Sequence, residues 1–240
     1  MSKTYQQFLK ENSGKTAVYT FGRFNPPTIG HEKLLRVVGT TSKKEGGDYF
    51  VYTSHSQDSK KNPLTHKQTI NFLKLIFPKH RPYIEDSSAL TALHAASDIY
   101  DKGGYTKLMM VVGSDRVRDF STLLNKYNDS KSKHGYYKFD SIEVISAGER
   151  DPDAEGAEGM SASKMRQAVV DSDYAVFQMG LPAGTSDSIS NNLYNAVAKG
   201  MRIEIKEDLE SNDVEELLSP SQLRKMSIRM KLQAKKPAFI

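Results

Sequence analysis

Lys107–Val112 reads KLMMVV, and the five residues after the lysine are apolar without interruption. A strand with one wet face alternates polar and apolar side chains. An unbroken apolar run of strand length needs cover on both faces, as in the central strands of a parallel sheet. The segments around it supply that cover. Thr16–Phe21, Asp48–Thr53 and Ser141–Ser146 read as further strands, with Tyr83-Ile84 a weaker one. Helical spacing follows Gly30 (Leu34, Leu35, Val38), runs from Pro63 to Pro78 (Ile70, Phe72, Leu73, Leu75, Ile76), and recurs over Ala89–Tyr100, Arg116–Lys126 and Ser161–Val170. One or two more helices fall between Asp173 and Lys199. Strands alternating with helices predict an α/β fold, a Rossmann-like parallel sheet with helices on both faces. The expected organisation is a leading helix within residues 1–15, an α/β domain over 16–200, and an acidic linker with a short basic helical tail over 201–240.

Composition narrows the chemistry. The 240 residues contain no cysteine, which excludes disulfides, Cys-based zinc sites and a thiol nucleophile. The longest apolar runs fall far short of the ~20 residues of a membrane span, and the first residues lack a signal-peptide core. A cytoplasmic protein is expected, in the host cell or in a virion if the chain is phage-encoded. The net charge of +5 invites a nucleic-acid reading, but its location argues otherwise. Residues 219–240 hold six bases and no acid, so residues 1–218 carry 28 bases against 29 acids. Ser219-Pro220 suits a helix start, and Leu223, Met226 and Met230 follow at helical spacing. Such a tail can contact nucleic acid, an anionic surface or an acidic protein groove, or serve only as a solubilising extension.

Two segments bear chemistry. Gly22-Arg23-Phe24-Asn25-Pro26-Pro27-Thr28-Ile29-Gly30-His31 joins the first strand to a helix. The N–H groups at a helix start attract anions, glycines permit close approach, and Arg23 and His31 add donors. A strand-to-helix loop with glycine and proline needs no ligand, so alone this segment leaves both readings open. Met160-Ser161-Ala162-Ser163-Lys164-Met165-Arg166 opens a later helix. Ser161 or Ser163 can cap it or hold a phosphate, and the Arg166 guanidinium can fork onto phosphate oxygens.

Together the segments resemble the paired signatures of the nucleotidylyltransferase superfamily, G-x-F-x-P-x-[HT]-x-G-H and I-S-S-T-x-I-R. The second is degenerate here, with Met, Ala and Ser at three positions. Val111-Val112-Gly113-Ser114-Asp115 is similar to the strand-end G-x-D segment of these enzymes. Asn62-Pro63-Leu64-Thr65 and the Gly-Arg-Phe opening resemble nicotinamide-nucleotide adenylyltransferases of the archaeal type. Thr28 stands where many members have His, and the chain has no Trp to stack a nicotinamide, a role for which Phe120 or a Tyr is a substitute.

The resemblance implies transfer of a nucleotidyl group from an NTP to an acceptor phosphate, with release of pyrophosphate. His31 would steady charge at the α-phosphate. Thr28 would bond that phosphate or a Mg²⁺-bound water. Ser161 and Arg166 would grip the β- and γ-phosphates, and Arg23 a substrate phosphate. Gly22, Phe24, Gly30 and Ser163 would line the nucleotide. Asp115 would meet ribose or base, with capping of the following helix an equal alternative. Mg²⁺ would arrive on the nucleotide. The implied partners are an NTP, preferably ATP, and a phosphate-bearing small molecule such as nicotinamide mononucleotide facing Ser54–Asn62, where His55, Lys60 and Lys61 stand near; self-association into a homo-oligomer stays open. The alternative, motivated by the degenerate second motif and Thr28, is a non-catalytic protein that reuses the fold for structure or binding; the tail is similar to those of assorted tailed-phage proteins, which points to a phage origin. His66, His80 and His94 have no metal-binding spacing, and the acidic loop Glu149–Glu158 reads as a solvated flap.

Overall fold

The computed structural model describes residues 14–148 and 160–204. The expected leading helix, the acidic loop and the basic tail lie outside the described residues. Four strands, β1 (Lys15–Gly22), β2 (Asp48–Thr53), β3 (Tyr105–Val112) and β4 (Ser141–Ser146), form one sheet in the order β2-β1-β3-β4. Every pairing is parallel: Val18 lies opposite Tyr49 on one side and Met109 on the other, and Met109 opposite Glu143.

Helices cover both faces. Val18, Val51, Met109 and Val111 pack on one side with residues of α1 (Ile29–Glu45), α2 (His66–Ile76), α5 (Ala162–Val170), α6 (Tyr174–Met179) and α7 (Asp187–Met201). Ala17, Tyr19, Leu108, Met110 and Val112 pack on the other with α3 (Ala92–Lys102) and α4 (Val117–Tyr127). The unbroken apolar run of β3 is thus divided between two cores, and Leu108–Val112 are all buried. Side chains alternate across a strand, so two-sided cover is what such a run requires.

Two helix starts and one expected strand differ most from the sequence reading. The helix expected from Pro63 begins at His66, because Thr65 and Gln68 cap each other: the Gln68 amide donates to Thr65 Oγ1 at 3.2 Å and the Thr65 amide to Gln68 Oε1 at 2.9 Å. The helix expected from Ala89 begins at Ala92, where Thr91 Oγ1 accepts the His94 amide. Tyr83-Ile84 is not a strand. Pro78–Tyr83 winds as a 3₁₀ helix, and only Ile84 bridges Val51. Pro82 lacks the amide that a ladder would need. No helix among the described residues is long and apolar enough to cross a membrane.

From β1 the chain passes through α1 to β2 on one side, while β3 occupies the other side of β1. Connections leaving β1 and β3 therefore diverge, and a crevice opens at their carboxyl ends. In open α/β sheets that is where ligands bind.

Candidate active site

Gly22 ends β1 at this crevice. A Cβ built on it would stand 2.9 Å from the Phe24 ring, because the chain doubles back at once. Phe24 does so with φ of 47°, a left-handed conformation that costs a non-glycine residue roughly 1–2 kcal/mol. Burial of its ring, 1% exposed, offsets that cost. The ring lies 4.8 Å, centroid to centroid, from the His31 imidazole. Gly22→Ala is expected to destabilise by about 1–3 kcal/mol through overpacking. Thermal unfolding should show a drop of several degrees.

Thr28 caps α1 and is fully buried. Its backbone amide donates to His31 Nδ1 at 2.9 Å, and its hydroxyl lies 3.1 Å from the same nitrogen. An amide only donates, so Nδ1 is an acceptor and the neutral ring carries its proton on Nε2. The structure thus places Thr28 as the group that sets the tautomer and orientation of His31. Gly30 lies in the first turn of α1, whose amides also face the crevice end of the sheet.

On the opposite wall, Ser161 caps α5 by accepting the Lys164 amide at 3.2 Å. Arg166, one turn on, donates through Nη2 to Ser163 Oγ at 3.0 Å and through Nη1 to the Asn25 carbonyl at 2.7 Å. That contact joins the two signature segments across 141 positions of sequence. Burial, and then the like charge of Arg23, both disfavour the Arg166 cation, and Asp58 offsets them only in part. A guanidinium does not release its proton in such a setting, so the unfavourable field leaves a demand for an anion. Arg23 is exposed, and its charge is felt at Arg166.

At the end of β3, Gly113 leads into a 3₁₀ turn, Ser114–Arg116. Asp115 Oδ1 folds over Gly113, 2.8 Å from where a Cβ would stand. Asp115 does not cap α4, whose N-cap is Arg116, so the capping alternative is set aside. Phe120 is half-buried under the Arg116 guanidinium, 5.4 Å from the ring centroid.

The segment after β2 forms the third side. Asp58 Oδ1 accepts the Lys60 and Lys61 amides at 2.9 and 2.6 Å, and the Asn62 side chain donates to Oδ2. These donors, the Lys61 amide first, hold its carboxyl down at about 2. His55 donates from Nε2 to the Ser87 carbonyl at 2.8 Å and stacks on His66 at 3.6 Å between centroids. His66, which the sequence marks only as lacking a metal-binding spacing, also meets the Thr53 hydroxyl at 2.9 Å.

Burial first, and then His55, lower the His66 pKa; burial also lowers His80 and His134. A histidine depressed in the folded state binds its proton more readily when unfolded. Its contribution is complete above the unfolded value of about 6.5 and is lost as pH falls through that value toward the folded one. The melting temperature should therefore drop between pH 7.5 and 5.5, and drop less in His66→Gln.

Asn25 carries no role in the sequence reading. It is buried at 4% exposure, and its side chain bonds the Leu64 backbone twice: Nδ2 to the carbonyl at 2.9 Å and Oδ1 from the amide at 3.0 Å. The available signal was an amide side chain followed by two prolines, which have no amide hydrogens of their own.

The family profile described as Cytidylyltransferase-like matches residues 19–168. The chain belongs to the cytidylyltransferase-like family. The match takes in the loop from Gly22 to His31 and reaches past Arg166, so both walls of the crevice fall within the family domain. The chemistry of this cytidylyltransferase-like protein is accordingly nucleotidyl transfer. No curated protein matches the chain.

Proposed function

We propose that the protein transfers the adenylyl group of ATP to the phosphate of a small acceptor, with nicotinamide mononucleotide the preferred one, and releases pyrophosphate. The observation that carries this reading is the contact of Arg166 with the Asn25 carbonyl, which brings the second signature segment against the loop that bears Arg23 and His31 after β1. The adenylyl donor and the acceptor are favoured by the Gly-Arg-Phe and Asn62–Thr65 segments.

An acceptor phosphate oxygen attacks the α-phosphorus of ATP. The new bond is P–O to the acceptor, and the bond that breaks joins the α-phosphorus to the oxygen bridging to the β-phosphate. The electron pair leaves with pyrophosphate. No protein nucleophile is required, so catalysis rests on positioning and on stabilisation of developing charge. His31, held by Thr28, offers its Nε2–H to the α-phosphate. Arg166, with Ser161 and Ser163 at the start of α5, takes the charge that accumulates on the leaving group. Arg23 holds the acceptor phosphate, and Asp115 the ribose.

Magnesium would shield the triphosphate. The charged side chains at the crevice are mainly cationic, and among the described residues no group of three or more His, Asp or Glu converges to hold a metal. This donor set fits an ion carried by the nucleotide rather than caged by the protein.

Purified protein with Mg²⁺ and ATP or CTP, screened against phosphate-bearing acceptors, tests the reading. Pyrophosphate release with ATP and nicotinamide mononucleotide supports it. Release with CTP and another acceptor replaces the substrate assignment. Nucleotide binding without release from any pair favours a binding protein built on the same fold.

A further inference from the structure

We propose that Asn25 is a positioning residue that links the two sides of the site, fixing the segment Asn62–Thr65 with its side chain and Arg166 with its backbone carbonyl. This rests on reading the crevice as the nucleotidyl-transfer centre. Pro26 and Pro27 have no amide hydrogen, and neither does Pro63 across from them, so ordinary backbone pairing cannot hold these strands of loop together. Asn25 substitutes for it. One side chain supplies both a donor and an acceptor to Leu64, at 2.9 and 3.0 Å, as a neighbouring β-strand would.

With the side chain held at both ends, the orientation of the residue is set, and with it the direction of its carbonyl. That carbonyl receives Arg166 Nη1 at 2.7 Å. The other guanidinium contact, to Ser163, lies on the same helix as Arg166 and cannot place the group relative to β1. Asn25 is therefore the connection that sets the phosphate-gripping guanidinium against the crevice, and the same residue anchors the chain that follows the acceptor-facing loop. An error at Asn25 reaches both substrates.

The fold contains its own control. Asn128 makes the same paired contact, to the Phe139 backbone, with both bonds at 2.9 Å. It follows α4, which starts beyond the carboxyl end of β3 and runs back, and Phe139 lies two residues before β4, so this pair lies at the opposite end of the sheet. Loss of Asn128 removes a comparable pair of bonds without touching Arg166.

The test compares Asn25→Ala, the isosteric Asn25→Asp and Asn128→Ala in the full chain. Two quantities are read: nucleotide affinity by titration calorimetry, and the Arg166 Nε–H signal by NMR with ¹⁵N-arginine labelling. Both Asn25 variants should weaken nucleotide binding about tenfold and sharpen or shift the Arg166 signal. Asn128→Ala should leave both unchanged even where its melting temperature falls equally. In an Arg166→Ala background, Asn25→Ala should change nucleotide affinity by less than twofold. If Asn25→Ala does not fold, Asn25→Asp carries the comparison.

The proposal is overturned if the Arg166 signal is the same in wild type and the Asn25 variants, or if Asn25→Ala costs as much in the Arg166→Ala background as alone. A wild-type protein that binds no nucleotide defeats the functional reading instead. The NMR comparison then still decides whether Asn25 places Arg166.

Discussion

Arg166→Ala should reduce pyrophosphate release by about 10²–10³-fold, the usual loss when one preorganised charge stabiliser is removed from a transition state. The reason lies in the electrostatics of the side chain. Its charge is already disfavoured by burial and by Arg23. The guanidinium therefore gains more from a bound anion than an exposed arginine would, and most when the α–β bond breaks and charge gathers on the leaving group. Arg166→Lys should recover only a small part of the rate. A single ammonium cannot donate to the Asn25 carbonyl and Ser163 Oγ in a fixed fork while also facing the phosphates. Single-turnover measurements at saturating nucleotide separate the chemical step from binding. An Arg166→Ala protein within threefold of wild type would remove this residue from the transition state.

His31→Ala should cost a similar factor, about 10²–10³ in turnover, but with a different signature. His31 is oriented by the Thr28 amide at Nδ1 and packed against the Phe24 ring at 4.8 Å. Both supports act before substrate arrives, so the donor needs no reorganisation during the reaction. His31→Asn retains a hydrogen-bond donor without the ring packing and should fall between wild type and alanine. The KM for nucleotide should change less than turnover, because the contact strengthens as charge develops at the α-phosphorus. Steady-state kinetics at varied ATP distinguishes this from a simple binding loss.

The sheet was legible because its strands are short, β-rich and separated by glycines, and because Leu108–Val112 demands two-sided cover. Both signature segments were legible as sequence because each sits at a helix start, where capping residues and phosphate-binding residues are of the same types. What could not be read is how the walls meet. Arg166 and Asn25 belong to different signatures, and nothing local in either shows that a carbonyl of one is the seat of the other. Pro63 misled for a related reason. Proline favours a first helical turn, yet the Leu64 amide and carbonyl are both taken by Asn25, and the helix waits for the Thr65–Gln68 pair. Ile84 shows the limit of strand propensity. Its one bridge to Val51 has no continuation, because the residues before it, with two prolines among them, coil as a 3₁₀ helix.

The contact between Arg166 and Asn25 also orders events during synthesis. Asn25 leaves the ribosome long before its partner, 141 residues ahead. All four strands have emerged by Ser146, so the sheet can assemble on a nascent chain that still lacks α5. A product ending there would present the Gly22–His31 loop without the guanidinium that docks on its Asn25 carbonyl. Premature termination between β4 and α5 should thus yield polypeptides with all four strands and without this contact, whereas translation past Arg166 supplies its guanidinium.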